Sequence, residues 1–283
     1  MKRLSLLIPI FSLMACTLPK EELFEPDYEP EVSVFGVLSN DADYEFVIVE
    51  RTLLLNEDFE NNDTQQSLII DDARVFVIGA TDTVEFFFKQ DKSVRGNDSE
   101  FTLARGAYFD SSHGLEVIPG ERYSLSVELA DGQCVTGETW IPSAPKIQKP
   151  KQASVLHIQE VKQDSIIWKG HPDDFLYLPR FLIPTWTTDY ADNPSEIVLL
   201  YNVSEEGTWT SLGPVYYFYQ NNNPNKFQFS ATIKVYSLDQ NLYDYTQKSG
   251  LAELTGQSLN LVKGGVGVFG SMMADSVTVS LVN

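Results

Sequence analysis

The chain has 283 residues, 43% of them hydrophobic and 12% aromatic, with 20 Lys and Arg against 40 Asp and Glu, a formal charge of −20. Recognition of nucleic acid or of an anionic lipid surface rests on basic contacts to phosphates, so neither is expected as a partner, and the charge reads as solubility and mutual repulsion at a crowded surface. Two cysteines exclude a disulfide framework, so the fold must be held by its apolar core.

The chain opens with Met1-Lys2-Arg3 and a largely apolar stretch from Leu4 to Ala15. A spanning helix needs about 20 residues, so this stretch suits the core of a signal peptide. It closes on Leu13-Met14-Ala15-Cys16, the pattern of a bacterial lipoprotein signal. Residues 1–15 are expected to be removed and Cys16 to carry the lipid, which anchors the protein to a membrane; two acyl chains suffice for stable anchoring. Lys20-Glu21-Glu22 resembles the lysine-acid-acid export signal that sends lipoproteins of the Bacteroidota to the outer leaflet of the outer membrane. Residues 16–30, with Pro26 and Pro30, read as an extended tether.

Strand patterns follow. Residues 32–38 and 45–51 are short and rich in β-branched and aromatic types, and 73–79 is apolar on both faces, as a central strand would be. Asn56 to Ser67 reads as a long acidic loop. In 122–129, Tyr123, Leu125, Val127 and Leu129 alternate with Arg122, Ser124, Ser126 and Glu128, the period of a half-buried strand. Pro119-Gly120 precedes it, and Asp131-Gly132 joins it to 134–141 as a hairpin. Cys134 in that strand is expected to be a small buried side chain.

Ile141-Pro142-Ser143-Ala144-Pro145-Lys146 marks a linker, with Lys149 and Lys151 beyond it. We place a boundary there: one β-sandwich over 31–147 and a second over 148–283, each of ordinary sandwich size. The second half offers strands at 165–169, 175–183, 196–203, 215–219, 226–236 and 276–282. It also offers one short helix near 238–248, capped by Ser237 with Gln240 three residues on. The fold class is therefore all-β, two immunoglobulin- or fibronectin-like sandwiches in tandem. An outer-membrane barrel would need more and longer strands with an apolar outer face.

Few residues point to chemistry. His113, His157 and His171 lack the spacing of a zinc site, no Gly-x-Ser-x-Gly elbow occurs, and no catalytic set or cofactor motif is visible. Gly264-Gly265-Val266-Gly267 lacks the Lys-Ser/Thr of a phosphate loop and reads as a tightly packed strand or bulge. The acidic loop 56–63 is the best place for calcium, which wants six to eight oxygens, though it carries no twelve-residue calcium loop. Trp186, Trp209, Tyr216, Tyr217 and Tyr219 crowd the second half. In 215–219 aromatics occupy both strand faces, so one face could meet a ligand or partner.

Several segments together are familiar. Val34-Phe35-Gly36, Ala73-Arg74-Val75, Tyr108, Ile118-Pro119-Gly120, Ile141-Pro142-Ser143-Ala144-Pro145, Val235-Tyr236-Ser237-Leu238-Asp239 and Gly264 to Gly270 resemble, in that order, the DUF4249 lipoproteins of the Bacteroidota. The region 150–225 departs from the pattern. The resemblance implies location and fold, an outer-membrane lipoprotein exposed at the surface, and since many members look like companions of TonB-dependent transporters and no catalytic set is visible, a non-enzymatic binding or accessory component beside a TonB-dependent receptor in nutrient uptake is expected. The alternative is a structural or adhesive immunoglobulin-like surface module.

Overall fold

The computed structural model describes residues 29–41, 45–54, 57, 62–90, 106–112, 114–157, 165–170, 176–185, 195–200, 208–210, 228–246 and 260–282. Its elements are β1 (Val32–Ser39), β2 (Phe46–Arg51), α1 (Asn62–Leu68), β3 (Arg74–Ile78), β4 (Thr83–Lys89), β5 (Ala107–Phe109), β6 (Arg122–Glu128) and β7 (Cys134–Trp140). Then come β8 (Lys146–Lys149), β9 (Val155–His157), β10 (Ser165–Lys169), β11 (Leu176–Thr185), β12 (Ser195–Leu200), β13 (Thr208–Thr210), β14 (Gln228–Leu238), α2 (240–246) and β15 (Val266–Val282). The all-β expectation holds.

The strands run β12-β11-β14-β15-β1-β2-β5-β4-β3-β6-β7, with β9 paired to β15; β13, β10 and β8 form a separate small sheet. All neighbours on the long path are antiparallel except β1 and β15, which are parallel, Val34 opposite Gly267. β4 passes from one layer to the other: Phe86 lies opposite Val75 of β3, and Phe87 opposite Phe109 of β5. The path folds back on itself, and Thr136 of β7 exchanges two backbone hydrogen bonds with Lys263, just before β15.

The space so enclosed is the main core. Val32, Val34 and Leu38 of β1 meet Val47, Val49, Val75, Val77, Phe86, Tyr108, Tyr123, Leu125, Val127 and Val135, and Val262, Phe269 and Met273 complete it. Residues from both sides of position 147 thus share one sheet and one core. The other face of β1 and β15 carries a second cluster, Val37, Phe46, Val268 and Met272, covered by Tyr236, Leu238 and Leu242. β1 reads as apolar throughout because both of its faces are buried.

Four local expectations are corrected. β3 is not buried on both faces: Val75 and Val77 are inside, while Ile78 is 41% exposed. Part of the expected acidic loop is helical, since Asn62–Leu68 forms α1. Cys134 is exposed, because Val135, Gly137 and Thr139 take the inward positions of β7. The cap of α2 is Asp239: its carboxylate accepts the Leu242 amide at 2.9 Å, while Ser237 still belongs to β14 and donates to the Ser143 carbonyl. An aspartate cap satisfies the same orphan donor a serine would.

The bend before β6 is held by Tyr123, whose hydroxyl donates to the Glu116 carbonyl and accepts the Ile118 amide. This resembles the tyrosine corner of sandwich folds. Tyr123→Phe leaves both backbone groups short of a partner, so a loss of about 1–2 kcal/mol is expected in urea denaturation. An unchanged midpoint would mean that water replaces the hydroxyl at no cost.

Candidate functional site

The outer face of β4-β3-β6-β7 is built by alternation. Side chains that do not enter the main core form rows across the strands: Thr83, Ile78, Ser124, Glu138; then Glu85, Phe76, Ser126, Thr136; then Arg74, Glu128, Cys134. Arg122 faces Trp140 at the far end. A groove of about 600 Å³ lies over this face, floored by Ile78, Ser124, Ser126, Thr136 and Glu138 and walled by Asn241 and residues 260–263. Pockets of that size hold small ligands or one anchoring side chain of a partner.

Both arginines of this face are already paired. Arg122 forms an ion pair with Glu138, and its hydrogen bond holds the Glu138 carboxyl below the usual range. The Arg122 guanidinium also stands 6.0 Å from the Trp140 ring centroid, within cation–π range. At the other end Arg74 lies 4.8 Å over the Phe76 ring and reaches Glu128 at 3.3 Å. Trp140 itself is 60% exposed, the most exposed large apolar side chain among the described residues.

The edge of β7 is closed. Besides the Lys263 pairing, the Asn241 amide donates to the Glu138 carbonyl at 2.6 Å and the Ser271 hydroxyl to the Trp140 carbonyl at 3.0 Å. An open edge would invite another strand. These contacts leave the sheet face, rather than the strand edge, as the surface a partner can use.

Most of the residues singled out from sequence fall elsewhere. Cys16, Lys20, Glu21, Glu22, Trp186, Tyr216, Tyr217 and Tyr219 lie outside the described residues, as do His113 and His171. Trp209 is placed by its backbone in β13, opposite Ile166. In the acidic loop, Glu57 is committed to Arg51 by bonds of 2.6 and 2.7 Å and accepts the Leu54 amide. The Arg51 bonds, then the amide, hold its carboxyl at about 2. Among the described residues no group of three or more His, Cys, Asp or Glu side chains could hold a metal ion.

Gly264 to Gly270 is structural, as read from sequence. A Cβ on Gly264 would stand 2.3 Å from the Cys134 carbonyl oxygen, and one on Gly270 would stand 2.5 Å from Leu242 Cγ. The residue sequence reasoning missed is Trp140. Its signal was available: in 134–141 the set Val135, Thr139, Ile141 is the core-facing one, which turns Trp140 outward.

These features define an all-β protein whose long C-terminal strand closes the core of its N-terminal half and whose outer sheet face bears a groove of mixed lining, with an exposed tryptophan farther along β7. The chain belongs to the DUF4249 family, a domain of unknown function, whose model matches residues 20–277. No curated protein matches it. Among solved structures it is similar to the extracellular cadherin domains 3–6 of protocadherin gamma B2, at 11% identity over 89% of this chain and 49% of that one, with a TM-score of 0.18. The protocadherin gammaB7 EC3-6 cis-dimer structure gives 10% identity over 90% and 51%, again with a TM-score of 0.18. The chain spans about half the length of these structures, and a likeness of that order carries no argument here.

Proposed function

We propose that the protein is a lipid-anchored outer-membrane lipoprotein of the Bacteroidota that binds rather than catalyses, serving beside a TonB-dependent receptor at the cell surface. The observation that carries the binding part is the outer face of β3-β6-β7, where Trp140 and Ile78 stand exposed beside a groove on strands braced by the main core. Rigid strands hold a contact surface with little ordering cost, and an exposed tryptophan beside a paired arginine is the residue pattern of an interface anchor. The anchor rests on Leu13-Met14-Ala15-Cys16, and surface export on Lys20-Glu21-Glu22.

Affinity purification of the tagged full-length protein from its native outer membrane tests this reading. Recovery of a TonB-dependent receptor in stoichiometric amount is expected, with Trp140→Ala lowering the yield and Cys16→Ser releasing the protein from the membrane fraction. Recovery of the protein alone would sink the accessory role and favour a free-standing adhesive module.

A further inference from the structure

Asp239 sits where β14 turns into α2 and is 6% exposed. Three close oxygen contacts lead away from it: Asp239 Oδ2 to Thr139 Oγ1 at 2.6 Å, Thr139 Oγ1 to Ser271 Oγ at 2.9 Å, and Ser271 Oγ to the Trp140 carbonyl at 3.0 Å. Thr139 and Ser271 are both buried. Each contact needs one proton between its two oxygens. The two hydroxyls supply two, and the carbonyl supplies none. The row is complete only when the carboxyl supplies the third.

We propose that Asp239 is a proton-operated latch: protonated, it completes this row and joins α2, β7 and β15, and ionised, it draws the Thr139 hydrogen off Ser271 and opens the contact between β7 and β15. The direction then follows. With the carboxyl protonated, Asp239 donates to Thr139, Thr139 to Ser271 and Ser271 to Trp140. With the proton gone, Thr139 must turn its hydrogen to the carboxylate, and the three contacts share two protons.

The surroundings agree. Burial pushes the Asp239 carboxyl up to about 6, against hydrogen bonds from Thr139 and from backbone amides, with no charge interaction contributing. On the elements packed against it, Thr139 of β7 and Ser271 of β15 face it. The charged groups nearby are engaged elsewhere: Glu138 of β7 with Arg122, and Asp275 of β15 with the Ile147 amide. Asp244 lies on α2 itself and has an interaction of its own. The latch has a reach beyond the helix. Thr136 of β7 and Lys263, just before β15, pair along the same seam and both line the groove, so opening the contact between β7 and β15 loosens the groove where its floor meets its wall.

Amide hydrogen exchange on the full-length, detergent-solubilised protein tests the latch. Corrected for intrinsic rates, the protection of the Thr136 and Lys263 amides is expected to fall by up to about tenfold between pH 5 and pH 8, the part of a shift of roughly two pKa units that lies above pH 5. Asp239→Asn keeps the cap and can donate to Thr139 at every pH, so its protection stays flat. Glu45→Gln serves as control for the other carboxyl pushed up by burial and by Asp110, to about 7, and must keep the wild-type fall. Infrared spectroscopy of the wild type reads the proton directly, as a protonated-carboxyl band at pH 5 that is lost by pH 8 and persists in Glu45→Gln. Flat protection in the wild type, an equal fall in Asp239→Asn, or loss of the band in Glu45→Gln overturns the proposal.

Discussion

Gly267→Ala is expected to cost at least about 3 kcal/mol, enough to leave a domain of ordinary stability, about 5–15 kcal/mol, largely unfolded at moderate urea. Two penalties combine. Gly267 has φ +113, where an L side chain is strained by about 1–3 kcal/mol. Its Cβ would also stand 2.0 Å from the Val34 carbonyl oxygen and 3.1 Å from the Val34 nitrogen. The neighbour is backbone and cannot rotate away. Val34 is tied on both sides, opposite Gly267 of β15 and opposite Val49 of β2, and its own side chain is in the core. Either the parallel ladder opens or β1 leaves the sheet. Gly132→Ala is the control: φ is +91, but nothing lies within 4 Å of the added Cβ, so only the backbone strain remains. Urea midpoints of the two variants separate the effects. Equal midpoints would show that β1 and β15 do not approach as closely as described.

The same pair of strands shows what was legible in the sequence and what was not. Alternation placed β6 and the first part of β14, where every second residue is apolar and buried, whereas from Val235 to Leu238 both faces of β14 are buried. The hairpin at Asp131-Gly132 was equally plain. The partnership of β1 with β15 carries no local signal, since parallel strands more than 220 residues apart share no turn. The glycines do carry one, read only as tight packing: Gly36 lies in β1, and Gly267 and Gly270 lie in β15, the strand that meets it. β4 went unread because it changes layers. Phe86 faces the core while Phe87, next to it, pairs with β5 and is exposed, so Phe86-Phe87-Phe88 shows no alternation of apolar and polar residues. The candidate face was missed for a different reason: attention went to crowded aromatics, whereas one outward tryptophan on a well-patterned strand is the plainer marker of an exposed apolar surface.

Phe269→Ala is expected to cost about 3–5 kcal/mol, the range for deleting a buried ring, and the larger information lies in its coupling to Gly36. Phe269 is fully buried and reaches across the main core between β1 and β7. A Cβ on Gly36 would stand 2.9 Å from Phe269 Cδ2 and 3.3 Å from Val47 Cγ2, whereas one on Gly137 would stand 2.8 Å from Phe269 Cβ. Gly36→Ala in the wild type therefore forces the ring aside and should cost about 1–3 kcal/mol, as overpacking does. Once Phe269 is alanine the ring is gone and the added methyl enters the space it leaves, so Gly36→Ala becomes neutral or stabilising. Gly137→Ala meets the Cβ that alanine retains and gains no such relief. A double-mutant cycle should thus give an interaction of about 1–2 kcal/mol for Gly36 with Phe269 and much less for Gly137 with Phe269. Additive losses at Gly36 would mean that the ring does not pack on β1, and the account of why a glycine stands in the first strand's Val34-Phe35-Gly36 would fail with it.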